Sequence, residues 1–238
     1  ELPERSGELV CQAWRHLRVR PGEVGLTAVE TRLRLSPEGR LLDEAGRCFD
    51  PAARAWSAAA GVPEGVAVSL PGALRWLQRE SGHAVRIPAA VIGTRTPTAS
   101  QSAMATQMGA LLAGHGVTVL CGGRSGVMEA VCRGVNEAGG LSIGLLPDEE
   151  PEAANPYVTV PLATGIGVAR NALIARAALC LVAVGGGYGT LSEIAFALQF
   201  KRPVFLLNGA PTVEGALRCA DAEQALEQVA RVFLALER

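Results

Sequence analysis

The sequence predicts an α/β fold: a doubly wound, mainly parallel sheet preceded by a small N-terminal α+β module. Two observations carry that expectation. From Ile87 onward, short apolar runs alternate with longer amphipathic ones, as expected for buried strands joined by crossover helices. The glycines gather at the ends of these runs, with 15 of 28 lying between Gly114 and Gly189, where a chain turns tightly or admits a ligand to its backbone.

Residues 1–84 are read as the small module and 85–238 as the larger domain. In the module, Val29, Thr31, Leu33 and Leu35 alternate with polar neighbours, and Ser36-Pro37-Glu38-Gly39 has the residue order of a type I turn before Leu41 resumes an apolar run. This predicts a hairpin. Ala52 to Ala60 and Ala73 to Glu80 are expected to be short helices. In the larger domain, Ala89 to Ile92, Val117 to Leu120, Leu141 to Leu146, Leu179 to Val184 and Val204 to Leu207 are too short for helices and read as buried strands. Ser100 to Ala113, Val127 to Ala138, Ala169 to Ala178, Leu191 to Phe200 and Ala222 to Leu236 read as helices. Thr98 and Gln101 supply a capping box for the first, and Pro203 stops the fourth.

Composition narrows the function. With 49% hydrophobic residues and a net charge of −1, the chain is neither mainly disordered nor broadly basic. The longest uncharged apolar run, Ala177 to Val184, is far short of the roughly 20 residues that cross a bilayer. A soluble protein without a membrane partner is expected. The first residue is Glu1 rather than methionine, and no signal-peptide pattern opens the chain. Lys201 is the only lysine, which excludes a Walker-type phosphate loop. The cysteines form no C-x-x-C pair and have no histidine at ligand spacing, so they read as small buried thiols of a cytoplasmic protein rather than a metal site.

Four predicted strand ends carry candidate site residues: Gly93 to Thr96, Gly122 to Gly126, Gly165 to Asn171, and Gly185 to Thr190. In an open parallel sheet ligands collect at the carboxyl ends of the strands. Gly185, Gly186, Gly187 and Gly189 precede or open a helix, where backbone N–H groups and the positive helix end can hold a phosphate. Thr190 takes part in that loop. Glu193 has two readings: a capping box with Thr190, or a carboxylate facing the ligand. Arg170, in the first turn of its helix, opposes the helix dipole and is better placed as an anion clamp. Gly122, Gly123, Arg124 and Gly126 repeat the arrangement before a helix containing Glu129. Arg124 and Glu129 either contact ligand or pair with each other. No histidine sits where catalysis would need it.

These residues resemble a known family. Gly122 to Ala130, Glu137 to Gly140, Gly144 to Pro147, Gly167 to Asn171 and Gly185 to Glu193 are similar, in order, to the LOG/SLOG superfamily of Rossmann-like proteins, and most of all to its molybdenum cofactor carrier-like branch, also labelled DprA/Smf-related. The resemblance implies two functions. Carriers hold molybdenum cofactor, a pterin bearing a phosphate, without chemistry. LOG enzymes are phosphoribohydrolases that cleave base from ribose in nucleoside 5′-monophosphates and need no cofactor. On that pattern Gly186, Gly187, Gly189 and Thr190 are phosphate binders, while Arg170 and Glu193 are the catalytic pair. Two positions depart from the enzymes and match the carriers: Gly185 replaces a proline and Asn171 a lysine. The family also implies self-association. A DNA-binding role, the third class, would need a basic groove with stacking aromatics, and Tyr188 is the only aromatic in the four loops.

Overall fold

The computed structural model describes residues 32–58 and 64–236. Val29, Thr31 and the ends of the predicted helix at Ala59–Ala60 lie outside them, as does Cys11.

A five-stranded antiparallel sheet comes first, built from β1 (Leu33–Leu35), β2 (Leu41–Asp43), β3 (Arg47–Asp50), β4 (Ala55–Ala58) and β5 (Val66–Val68) in the order β4-β3-β2-β1-β5. The hairpin forms as read: Gly39 N donates to Ser36 O at 2.9 Å, and Leu35 pairs with Leu41. The expected helix over Ala52 to Ala60 does not form. Asp50 Oδ1 instead accepts from Ala52 N and Ala53 N, closing a turn, and the chain returns as β4. Cross-strand pairing of Phe49 with Trp56, ring centroids 5.1 Å apart, overrides the helix preference of the alanines.

Helix α1 (Leu70–Arg79) starts where Ser69 Oγ accepts from Gly72 N, slightly earlier than the apolar pattern alone suggests. It buries Leu70, Ala73, Leu74 and Leu77, the spacing of one helical face.

The larger sheet is parallel throughout. It comprises β6 (Ala89–Gly93), β7 (Val119–Cys121), β8 (Ser142–Leu146), β9 (Val160–Ala163), β10 (Leu181–Val184), β11 (Val204–Leu207) and β12 (Leu217–Arg218), ordered β12-β11-β10-β6-β7-β8-β9. Its helices are α2 (Ala99–Gly114), α3 (Val127–Glu137), α4 (Arg170–Ala177), α5 (Tyr188–Gln199) and α6 (Ala222–Phe233). The capping box of Thr98 and Gln101 is present at the start of α2. Successive strand residues face opposite layers. Val91, Val182, Val184, Phe205 and Leu207 pack with α2, α3 and α6, while Ile92, Leu181, Ala183 and Leu206 pack with Ile174 of α4 and Ile194 of α5. Burial on both faces explains why these strands read as continuous apolar runs.

Core residues of the small sheet and α1, including Leu33, Phe49, Leu74 and Trp76, share one hydrophobic cluster with Leu226, Val229 and Phe233 of α6. Trp56 Nε1 donates to Leu234 O at 2.7 Å across the same seam.

The chain runs outward from β6 to β9, then crosses back to lay β10 against the other side of β6. That reversal is the switch point of the sheet, and β6 and β10 end side by side, with Val184 opposite Gly93. Among the described residues, no helix is long and apolar enough to cross a membrane.

Candidate functional site

Every strand of the larger sheet points the same way, so the four glycine-bearing ends share one edge. Gly93 and Gly126 bring two of them together. A Cβ on Gly93 would collide with Val184 O and the Val127 side chain, and one on Gly126, at φ +78°, would lie 2.5 Å from both Thr94 O and Arg95 O. Val127 N donates to Thr94 O at 3.0 Å and fixes the start of α3 on the end of β6.

Beneath this edge lies a buried ion pair. Arg170, at the start of α4, is 4% exposed, and Glu193, in the second turn of α5, is 7% exposed. Arg170 Nη1 donates to Glu193 Oε1 at 3.4 Å and Nη2 to Gly122 O at 3.3 Å. Both contacts are longer than the 2.7–2.9 Å of a strong charge-assisted bond. Arg170 Nε is buried and has no hydrogen-bond partner among the described residues. Burial pushes the Glu193 carboxyl up to about 7, against the opposing pull of Arg170, and burial likewise lowers the pKa of Arg170. Desolvation therefore outweighs attraction for both partners, leaving a pair whose polar capacity is only partly used.

Thr190 and Glu193 do not form the capping box. The N-cap of α5 is Gly187, so both residues lie inside the helix, and the Glu193 side chain turns inward to Arg170. Arg124 is not paired with Glu129. Its Nη1 donates to Asp148 Oδ2 at 2.7 Å, on the segment after β8. Glu129 occupies the first turn of α3, half-buried.

Gly185 and Gly186 adopt φ values of +56° and +151°. A Cβ on Gly185 would lie 2.5 Å from Gln101 Nε2, and one on Gly186 would lie 2.8 Å from Thr190 Cβ. Gly187 and Gly189 differ: neither has positive φ, and a Cβ on either would meet nothing within 4 Å. Leu191 N closes the first turn of α5 on Gly187 O, so the N–H groups of the preceding helical residues face outward, where an anion can meet them.

Supporting contacts come from Asn171, at the end of the third candidate segment, and from Ser192, Asn155 and Gln101, which the sequence did not assign to the site. Asn171 Nδ2 donates to Ser192 Oγ at 2.9 Å, and Ser192 Oγ donates to Gly189 O at 2.7 Å, tying α4 to the glycine loop. Asn155 Nδ2 donates to Gly123 O and Arg124 O, at 3.1 and 3.0 Å, and holds the other loop. Gln101 Nε2 donates to Asn208 O at 3.0 Å while lying against Gly185. Asp148 directly follows the Gly144 to Pro147 motif, so a strand-end carboxylate beside an arginine-bearing loop was a signal available for it. For Asn155 the sequence offers none.

The fold defines a Rossmann-like α/β protein, and this edge its candidate strand-end site, built from two glycine loops and a buried Arg–Glu pair. Residues 86–233 match the SLOG cluster4 family, and the chain belongs to it. Among solved structures, it is similar to the molybdenum cofactor binding protein of Rippkaea orientalis, at 32% identity and TM-score 0.59, over 63% of this chain and 99% of that one. It is also similar to the molybdenum cofactor carrier protein of Chlamydomonas reinhardtii, at 35% identity and TM-score 0.57, over 62% of this chain and 98% of that one. A probable cytokinin riboside 5′-monophosphate phosphoribohydrolase of Oryza sativa is 33% identical over 46% of this chain, and the match spans about half, 48%, of that enzyme.

Proposed function

We propose that this protein binds a phosphate-bearing small molecule, a nucleotide or molybdenum cofactor, at Gly185 to Thr190 and holds it without cleaving it. The observation that carries the reading is the open space at Gly187 and Gly189 beside the α5 N-terminus. The folded chain itself does not require glycine at either position, whereas a phosphate approaching the backbone does. Arg170, with its buried spare Nε–H, supplies positive charge under the loop. Gly122, Gly123, Arg124, Gly126 and Glu129 line the neighbouring strand end and face the rest of the ligand.

Two features support holding over cleavage. Gly185 adopts φ +56°, which the proline of the hydrolytic loop cannot. Asn171 is committed to Ser192 and Gly189 rather than offering a cation to substrate. Similarity to the carriers over nearly their whole length agrees with this.

One observation favours the second reading, phosphoribohydrolase action on nucleoside 5′-monophosphates. Glu193, raised to about 7 and facing Arg170, is suited to stabilise an oxocarbenium-like ribose or to activate water, with Arg170 orienting the ligand. Neither activity needs a resident metal. Self-association is part of the proposal. Val168 and Tyr188 are 79% and 94% exposed beside the site, and Leu173 and Leu191 extend the apolar surface along α4 and α5.

The test is direct. Incubation with AMP and other nucleoside monophosphates should release no free base. Thermal shift against nucleotides and phosphorylated pterins should show stabilisation that is lost in Gly187→Val. Base release abolished by Glu193→Ala would replace holding with hydrolysis, and a flat ligand screen would reject both readings.

A further inference from the structure

A cleft of about 480 Å³ opens at the seam between the small antiparallel sheet and the larger domain, lined by Arg54, Gln78, Arg79, His83, Val85 and Arg86 among others. Arg86 lies just before β6, and the Arg79 guanidinium reaches the end of the helix that feeds β7, so the cleft lies at the amino-terminal edge of the parallel sheet. The glycine loops occupy the opposite edge.

We propose that this cleft is a second anion site, which takes a small phosphate-bearing molecule such as a phosphate monoester or a short polyphosphate. The lining has no carboxylate among the described residues, yet it carries Arg54, Arg79, Arg86 and His83. None of the three arginines has a carboxylate partner among the described residues. Two of them cap helix ends. Arg54 donates from Nε to Phe233 O at 3.2 Å and from Nη2 to Val232 O at 2.8 Å, at the end of α6, and Arg79 Nη2 donates to Ala113 O at 2.9 Å, at the end of α2. A helix C-terminus carries about half a negative charge. Set against the three guanidinium charges, the half charges at the ends of α1, α2 and α6 leave about one and a half positive charges uncompensated. Burial lowers the pKa of Arg54, which marks its charge as under-compensated by the protein.

The cleft is also preorganised. Gln78 clamps the connecting segment, with Oε1 accepting from Val85 N at 2.7 Å and Nε2 donating to Val85 O and Gly116 O, both at 3.1 Å. This fixes Val85, the residue before Arg86. Arg54 is held in the left-handed region at φ +50°, which non-glycine residues seldom adopt and which here aims its side chain across the seam. Arg54, Arg79 and His83 all lie outside the segment that matches the family, and the two cofactor-binding structures, matched over 98–99% of their length, cover only 62–63% of this chain. The cleft is thus built largely from what this chain adds to the family domain.

The test uses the full chain and inorganic tripolyphosphate, followed by calorimetry and by the His83 imidazole resonances in NMR. Because the glycine loops can also take polyphosphate, the measurements are made in the Gly187→Val background. That variant is expected to bind tripolyphosphate still, with His83 shifting to saturation on the same curve. Adding Arg86→Glu, an exposed position, should weaken binding at least tenfold, whereas Arg40→Glu, the same charge change on the exposed hairpin turn, should leave it within twofold. Loss of all binding in Gly187→Val alone would overturn the proposal, as would an unmoved His83, an unchanged affinity in Arg86→Glu, or an equal loss in Arg40→Glu. Arginines that only cap helix ends would give one of these results.

Discussion

In the Gly122–Gly126 loop every glycine is crowded by the protein itself, whereas in the Gly185–Gly189 loop only two are. A Cβ on Gly122 would strike the Arg170 guanidinium, one on Gly123 would lie 2.7 Å from Leu146 Cδ2, and one on Gly126 would lie 2.5 Å from two carbonyl oxygens. Across the sheet, Gly185 and Gly186 are constrained in the same way, but Gly187 and Gly189 face open space. Glycine richness is therefore two signals with one appearance. The first loop uses absent side chains to let β6, β7 and α3 converge, and the second leaves two of its positions open.

The largest effect expected from this contrast is on folding. Gly126→Ala places a methyl group against Thr94 O and Arg95 O at a positive φ, combining backbone strain with overpacking. We expect a loss of about 3 kcal/mol, or a fall in melting temperature of about 6–12 °C for a chain of this size. Thermal unfolding checks it. A shift below about 2 °C would mean that the loop can move away, and that its glycines are no more committed than those of the second.

The same distinction explains what the sequence could and could not disclose. Strands β6, β10 and β11 were legible because they are covered on both faces and their apolar runs are uninterrupted, whereas β7 and β8 read as strands although Thr118, Ser142 and Gly144 interrupt theirs. Edge strands were not: β9 is exposed along its whole length and contains Pro161, β12 has two residues, and β4 is an alanine-rich segment whose strand state depends on Trp56 meeting Phe49. In the site, Arg170, Glu193 and the glycines were visible as local patterns. Their relations were not. Whether Glu193 caps its helix or faces Arg170 depends on where α5 begins, and that start is Gly187 rather than Thr190. The partner of Arg124 lies 24 residues away, brought near by β8 pairing with β7, and no i,i+4 rule reaches that far.

The next effect concerns the ion pair that joins the two loops. The folded Glu193 carboxyl has a pKa of about 7 against an ordinary 4.5, so between those values the folded protein keeps a proton that the unfolded chain releases. The resulting stabilisation is complete below about pH 4.5, falls as pH rises, and is gone above about 7, amounting to about 3 kcal/mol across the window. Arg170 stays charged throughout. Glu193→Gln, which cannot ionise, should therefore show a shallower decline in urea midpoint between pH 5 and 7.5 than the parent protein. Parallel declines would show that Glu193 does not titrate there and that the pair is permanently ionised.

The smallest effect is the most discriminating, because its sign is reversed. Gly189 lies in the first turn of α5 with nothing within 4 Å of a prospective Cβ and no positive φ. Alanine there reduces the entropy of the unfolded chain and improves helix propensity, so Gly189→Ala should raise stability by about 0.5–1 kcal/mol, or about 1–4 °C in melting temperature. The same one-methyl change thus destabilises the first loop and stabilises the second. Stability would then not explain glycine at position 189, and the remaining reason is a ligand that needs the space, so a phosphate-bearing ligand should bind Gly189→Ala more weakly than the parent. A fall in melting temperature would place Gly189 with the packing glycines and remove the contrast between the loops. A rise with unchanged ligand affinity would locate the phosphate elsewhere on the loop, nearer Gly187.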